Sequence, residues 1–281
     1  MSSEKRGRKP DSQEPGPTSG TATRLSGRAP SAWGAARDAL AAVHNLDALL
    51  RSAVPYRTIL DLLAELRQSA GVLRVAFETA CATEDAATAA VGEYGTARVD
   101  ELQRLLDETE QRPEDRDDLA GRVRALADEL EASADLLALL ERAASPVRTE
   151  VSVGLIVRET GRMFSSGRGR EIVVRFEEAS PDILVATDPY VVGPLLTLVV
   201  ASVSAAGVES IAVRTRCEPP LATFVVEPQR EGDEALPSLS MRVMPAVAPT
   251  EAAARRVADQ LGASLELERS RGSIALVRAA G

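Results

Sequence analysis

From Trp33 to Ala144 apolar residues return every three or four positions, the period of helices that bury one stripe. Leu40, Val43, Leu46, Leu49 and Leu50 form one such series, and Ile59, Leu62, Leu63 and Leu66 a second. Pro55 stands between them and is expected to kink or break the helix, because it supplies no amide and its ring crowds the preceding turn. Gly92–Gly95 reads as a turn, and Gln111–Asp115, with Pro113 at its centre, as another. The segment Arg116–Ala144 is rich in strong helix formers and lines up Leu119, Val123, Leu126, Leu130, Leu137 and Leu140. Long amphipathic helices poor in aromatic residues bury their stripes against one another. A helical hairpin offers only two stripes, so pairing with a second chain into a four-helix bundle is the expected solution.

Past a short connector at Ser145–Thr149 the pattern changes. Val151–Phe164 is predicted as a further helix and Gly167–Arg170 as a basic loop. Glu171–Phe176 is predicted as a strand with Ile172, Val174 and Phe176 on one face, and Ile183–Thr187 as a second strand. Asp188–Gly207 is then an uncharged run long enough to raise the question of a membrane span. It holds Gly193, Pro194, Thr197, Ser202 and Ser204, and Asp188-Pro189 is a helix-start pair: a carboxylate for orphan amides, then a residue that needs no donor. An all-round apolar helix with such a start fits the core of an α/β layer. Ser210–Arg216 and Leu221–Val226 form a predicted hairpin around Glu218–Pro220, whereas Gln229–Pro249 is polar, broken by prolines and unassigned. Thr250 is expected to cap a helix ending before Gly262, followed by a hairpin of Ser264–Glu268 and Ser273–Arg278 turning at Gly272. The fold class is thus α+β: a helical hairpin, then a two-layer sandwich of a mixed sheet with helices on one face.

Composition narrows the function. The 281 residues divide into a Pro-, Gly-, Ser- and Arg-rich tail (1–32) expected to be disordered, a helical domain (33–146) and an α/β domain (147–281). A formal net charge of -9 and 3% aromatic residues argue against nucleic acid as a partner, since neither phosphate neutralisation nor base stacking is provided for. Cys81 and Cys217 have no partner pattern for a disulfide or zinc site. The N-terminus carries no apolar signal region, so a cytoplasmic location without membrane insertion is expected. His44 is the single histidine, through which any histidine chemistry must pass. The acidic run Glu108–Asp118 reads as a solvated loop and helix start, and Asp47 and Asp61 as surface charges.

The order of elements resembles the cytoplasmic core of bacterial sensor histidine kinases, which joins a dimerising helical hairpin to an ATP-binding domain of the GHKL type. Leu126–Ala143 (LADELEASADLLALLERA) is similar to the second hairpin helix, and Ser152–Phe164 to the first helix of the ATPase layer. Ile183–Gly207 resembles the strand and helix of the asparagine box, and Glu251–Arg278 the closing helix and hairpin. The resemblance implies ATP and magnesium as cofactors, with side-chain oxygens on the long helix holding the metal. At those positions this chain has Thr197 and Ala201, and Ala201 has no oxygen to offer. Where the family places an aspartate and glycines to read adenine, the chain has Glu227-Pro228-Gln229-Arg230. The glycine-rich lid that should precede Ala252 is replaced by Met241–Ala252, which contains no glycine.

The phosphoacceptor can be placed in two registers. From His44 the motif has its histidine but neither the acid after it nor the proline five positions on. From Pro55 the following residues, PYRTILDLLAEL, match better and place Leu50, which has no nucleophile, at the acceptor position. The second register uses more residues and makes His44 an ordinary helical histidine. The resemblance with these departures implies a catalytically degenerate protein of two-component signalling. It would be a homodimer that binds a receiver domain or another histidine kinase, with no cofactor and no metal. The competing readings are a phosphotransferase or divergent kinase with His44 as catalytic acceptor, using ATP and magnesium if it is a kinase, and a helical adaptor outside phosphorelay.

Overall fold

A computed structural model describes residues 32–52, 55–111, 116–164, 170–177, 183–230, 238–243 and 245–278. The tail expected over 1–32 lies outside them apart from Ala32, as do the centre of the turn at Pro113 and most of the loop before Arg170.

The helical region contains four long helices: α1 (Ala32–Leu50), α2 (Tyr56–Cys81), α3 (Ala86–Gln111) and α4 (Arg116–Ala143). Pro55 ends one series and starts the next, as its missing amide demands: it occupies the N-cap position of α2. The turn expected at Gly92–Gly95 is instead the second and third turns of α3, and the chain reverses at 82–85. That correction changes the architecture. Each helix packs on two others, α1 on α2 and α4, and α3 on α2 and α4, so four stripes close a bundle within one chain. Val43 and Leu46 of α1, Leu66, Leu73 and Phe77 of α2, Val99 and Leu102 of α3, and Val123 and Leu130 of α4 are fully buried along it. The stripes assigned to a second chain are supplied by this one, so the hairpin argument for dimerisation no longer applies.

Gly92 and Gly95 are contact points where α3 lies against α2. A Cβ at Gly92 would come 2.6 Å from the backbone nitrogen of Cys81, and one at Gly95 2.2 Å from a ring carbon of Phe77. Both distances are impossible, so the two helices can approach this closely only with glycine there.

The C-terminal half is the expected α/β layer, with differences of detail. β1 (Thr149–Ser152) takes residues assigned to the start of the next helix, α5 (Val153–Phe164). β1 pairs antiparallel with β3 (Leu184–Thr187), outside the main sheet. That sheet has six strands in the order β6-β2-β4-β5-β8-β7: β2 is Arg170–Phe176, β4 Ser210–Glu218, β5 Leu221–Pro228, β6 Ser238–Val243, β7 Ser264–Glu268 and β8 Arg271–Val277. Only β2 and β4 run parallel. β6 lies inside the unassigned stretch and pairs antiparallel with β2; Leu239, Met241 and Val243 do alternate with Ser238, Ser240 and Arg242, but over six residues only, inside a polar stretch broken by prolines.

α6 (Pro189–Ser204) is the core helix, and α7 (Thr250–Leu261) packs beside it. Asp188 caps α6 by accepting from the amide of Tyr190 at 2.9 Å, and its other oxygen accepts from the amide of Val147 at 2.9 Å. One buried carboxylate thus ties the end of the bundle to the start of the core helix. Thr250 caps nothing: it is the first residue of α7, preceded by Pro249 without a side-chain cap. Gly262, left-handed at φ 69, ends α7 as expected. Gly272 is no turn residue either. It lies in β8, paired with Val226, and a Cβ there would stand 2.3 Å from Val199 Cγ1, so α6 sits directly on the strand.

Ala222, Phe224 and Val226 of β5, with Ile274 and Leu276 of β8, are buried on the face toward α6. Thr223, Val225 and Glu227 alternate to the opposite face. No helix among the described residues is long and apolar enough to cross a membrane.

Candidate functional site

The residues matched to a nucleotide site divide between the two faces of the sheet. Thr197 and Ala201 lie on α6, on one side. The hydroxyl of Thr197 donates to the carbonyl of Gly193 at 3.0 Å, and those of Ser202 and Ser204 donate in the same way to Leu198 and Ala201. A hydroxyl on an apolar helix satisfies itself on its own backbone where no other partner is offered. Ala201 is 4% exposed and packed in the core. α6 therefore presents no set of side-chain oxygens of the kind magnesium requires.

Glu227 was expected in a loop after its strand, but β5 continues through Pro228 and places Glu227 opposite Ala212. Its neighbour Val226 faces α6, so the Glu227 side chain projects to the other face. There its carboxylate, nearly inaccessible, is held by arginines. Arg214 Nε donates to one oxygen at 3.0 Å and Arg230 to the other at 2.7 Å, with Arg271 Nε at 3.9 Å. A carboxylate is buried at tolerable cost only when so paired. Both oxygens are thus committed to cations. The segment corresponding to a lid is also committed: β6 is hydrogen-bonded along β2 from Arg170↔Val243 to Arg175↔Ser238, and Val243 and Val247 are buried. These residues do not fit a magnesium-nucleotide complex.

His44 lies on α1 with its side chain 11% exposed, and its Nε2 stands 3.0 Å from Oε2 of Glu131 on α4. Asp128 precedes Glu131 by one turn, and one donor atom from each of the three residues falls within 4.8 Å of the others. The histidine without an acid beside it in sequence has two beside it in space. Residue 45 gave no hint of this; the signal was the i, i+3 pair of acids on α4, legible only once α4 is known to pack on α1. Leu50, at the acceptor position of the other register, is 2% exposed in the bundle core. Asp47 binds Arg51 one turn on, and Asp61 is exposed.

A groove of about 430 Å³ lies on the face of the sheet away from α6, lined by Arg216, Glu218, Thr223, Glu266, Glu268 and Arg271 among others. None of these was singled out from sequence, where they read as the solvent-facing half of alternating strands.

No protein-family profile and no curated protein sequence matches this chain. Among solved structures, the histidine kinase AdeS of Acinetobacter baumannii is similar at 12% identity over 66% of this chain and 96% of that one, with a TM-score of 0.43. A histidine kinase from Burkholderia phymatum is similar at 15% identity over 68% and 91% of the two chains, with a TM-score of 0.34. Both likenesses are loose.

Proposed function

We propose that this chain is a histidine-kinase-like protein of two-component signalling that works by binding its partners and has no ATP-dependent autophosphorylation. The observation that carries the reading is Glu227: the acid expected to read adenine is locked to Arg214 and Arg230 on the wrong face of the sheet. The oxygen-poor α6 and the tethering of β6 support it further. On this reading the α/β layer is a rigid interaction module. The bundle, in the cytoplasm, presents a docking surface to a receiver domain or to another histidine kinase. α2 leaves Leu60, Val72 and Val75 exposed, and a homodimer would use such an outer surface, since the inner stripes are occupied. Calorimetric titration with ATP and ADP, with and without magnesium, tests the proposal; tight magnesium-dependent uptake would overturn it.

A second reading, phosphotransfer through His44, is favoured by one observation, the carboxylate of Glu131 at hydrogen-bond distance from the ring, where a general base would stand. The ring's low exposure opposes it. Acid-labile, base-stable phosphate on the chain after incubation with a phosphorylated receiver, absent in His44→Ala, would establish this reading. Absence of affinity for any receiver or kinase would favour a helical adaptor outside phosphorelay.

A further inference from the structure

His44 and the two acids of α4 form a donor set whose chemistry goes beyond partner docking. The set is held by the bundle core: Val43 and Leu46 on either side of His44, and Ala127 and Leu130 around the acids, are fully buried, which fixes the backbone on both helices. His44 Nε2 and Glu131 Oε2 are 3.0 Å apart. Two ligands each about 2.0–2.1 Å from a zinc-class ion stand about 3 to 3.4 Å from one another, so this pair already has the spacing of adjacent ligands. The Asp128 carboxylate, with a donor oxygen inside the same 4.8 Å cluster, reaches the ion by side-chain rotation.

We infer that His44, Asp128 and Glu131 constitute a binding site for a first-row divalent cation of the zinc class, joining the first helix of the bundle to the last. One imidazole nitrogen with two carboxylates selects zinc, cobalt or nickel over magnesium and calcium, which take oxygen ligands. On binding, the ion takes the place of the hydrogen between His44 Nε2 and Glu131: a neutral ring keeps its one proton on Nδ1, an imidazolium gives one up to solvent, and the hydrogen bond gives way to a metal–nitrogen and a metal–oxygen bond. Glu131 is 34% exposed, so the solvent side of the site is open to a further ligand such as water. The site is independent of the nucleotide question, because it lies wholly between α1 and α4.

The test is a cobalt(II) titration of the tag-free, chelator-treated full chain, read by visible absorption and followed by displacement with zinc. The expected result is saturation at one ion per chain, without the thiolate charge-transfer band that Cys81 or Cys217 would give, and a thermal midpoint that rises with zinc. His44→Gln and Glu131→Gln should each weaken binding at least tenfold with helical circular dichroism unchanged, while Asp61→Asn on the surface of α2 binds as the native chain does. If His44→Gln fails to fold, Asp128→Asn provides the same comparison from the other helix. Absence of saturable uptake by the native chain, or uptake that persists in both the histidine and the acid variants, overturns the proposal.

Discussion

Arg256 of α7 and Asp85, in the turn between α2 and α3, meet at 2.7 Å and pin the α/β layer to one end of the bundle. Asp85 also caps α3: its Oδ2 accepts from the amide of Thr88 at 3.0 Å and from its hydroxyl at 2.7 Å. Burial pushes this carboxyl up, but the two Thr88 hydrogen bonds and Arg256 outweigh it and hold the group below its ordinary 3.8.

Asp85→Ala should therefore cost about 1 kcal/mol near neutral pH, the usual value of a lost N-cap. The folded pKa is depressed, so the contribution is complete above the ordinary value and disappears as pH falls through the folded one. Urea denaturation of the two proteins should give curves that separate at neutral pH and converge below 3.8. Curves separated equally at all pH would show that the charge plays no part. Arg256→Ala, losing one half-exposed ion pair, should cost about 0.2–1 kcal/mol.

Gly92→Ala and Gly95→Ala should both loosen the contact of α2 with α3, although alanine is the better helix former. At Gly95 the clash is with the Phe77 ring, which can move by distorting the core; at Gly92 it is with backbone of α2, which cannot. Overpacking of this kind costs about 1–3 kcal/mol, so Gly92→Ala should fall at the upper end. Thermal denaturation decides the order. Stabilisation by either substitution would mean that the helices do not approach as described.

The same glycines show what the sequence could and could not disclose. Helical periodicity picked out most of the buried stripe of α1, the first half of α2 and α4, among them Val43, Leu63 and Leu130, but named nothing on α3, and alternation found β2, β4 and β5, because each signal is local. Gly92 and Gly95 gave the wrong element, since a glycine that opens a turn and one that admits a neighbouring helix look alike in one dimension. With that error went the helix count, and with the helix count the reason to invoke a second chain. Gly272 repeats the lesson in a strand. The partners of Glu227 and of His44 were invisible for a related cause: Arg214 and Glu131 are 13 and 87 positions away and meet them only through packing. The departure at Ala201 was readable directly, because an absent oxygen needs no geometry; that the Thr197 hydroxyl is spent on the carbonyl of Gly193 was not.

Removing Glu227 should be among the costliest single changes in the α/β layer. Glu227→Ala leaves Arg214, itself only 18% exposed, beside Arg230 and Arg271 without their common counter-ion. Breaking one partner out of a buried pair costs about 3–5 kcal/mol; the exposure of Arg230 and Arg271 points to the lower end. Chemical denaturation should show that loss, and Glu227→Gln, which still accepts hydrogen bonds, should lose less. Neither variant should change nucleotide affinity. A change confined to ATP binding, with stability intact, would return Glu227 to a role in a nucleotide site.

Tyr94 on α3 donates its hydroxyl to Oε2 of Glu129 at 2.7 Å, while Arg98 lies over its ring at 5.3 Å. Burial first, and then the hydrogen bond and charge of Glu129, push the phenol from 10.0 up to about 12, only partly opposed by Arg98. The fold thus favours the neutral phenol: its contribution is full below the ordinary value and is lost as pH rises toward the folded one. In a spectrophotometric titration of phenolate, one of the three tyrosines should ionise about two units after its ordinary value. That late step should be missing from Tyr94→Phe. The variant should be about 1–2 kcal/mol less stable at neutral pH, because a hydrogen bond to a charged acceptor is lost while Glu129 keeps Arg98 at 3.4 Å. Ionisation of every tyrosine near pH 10 would mean that the α3–α4 seam is open to water at this point, and the stability difference between the two proteins should then vanish as well.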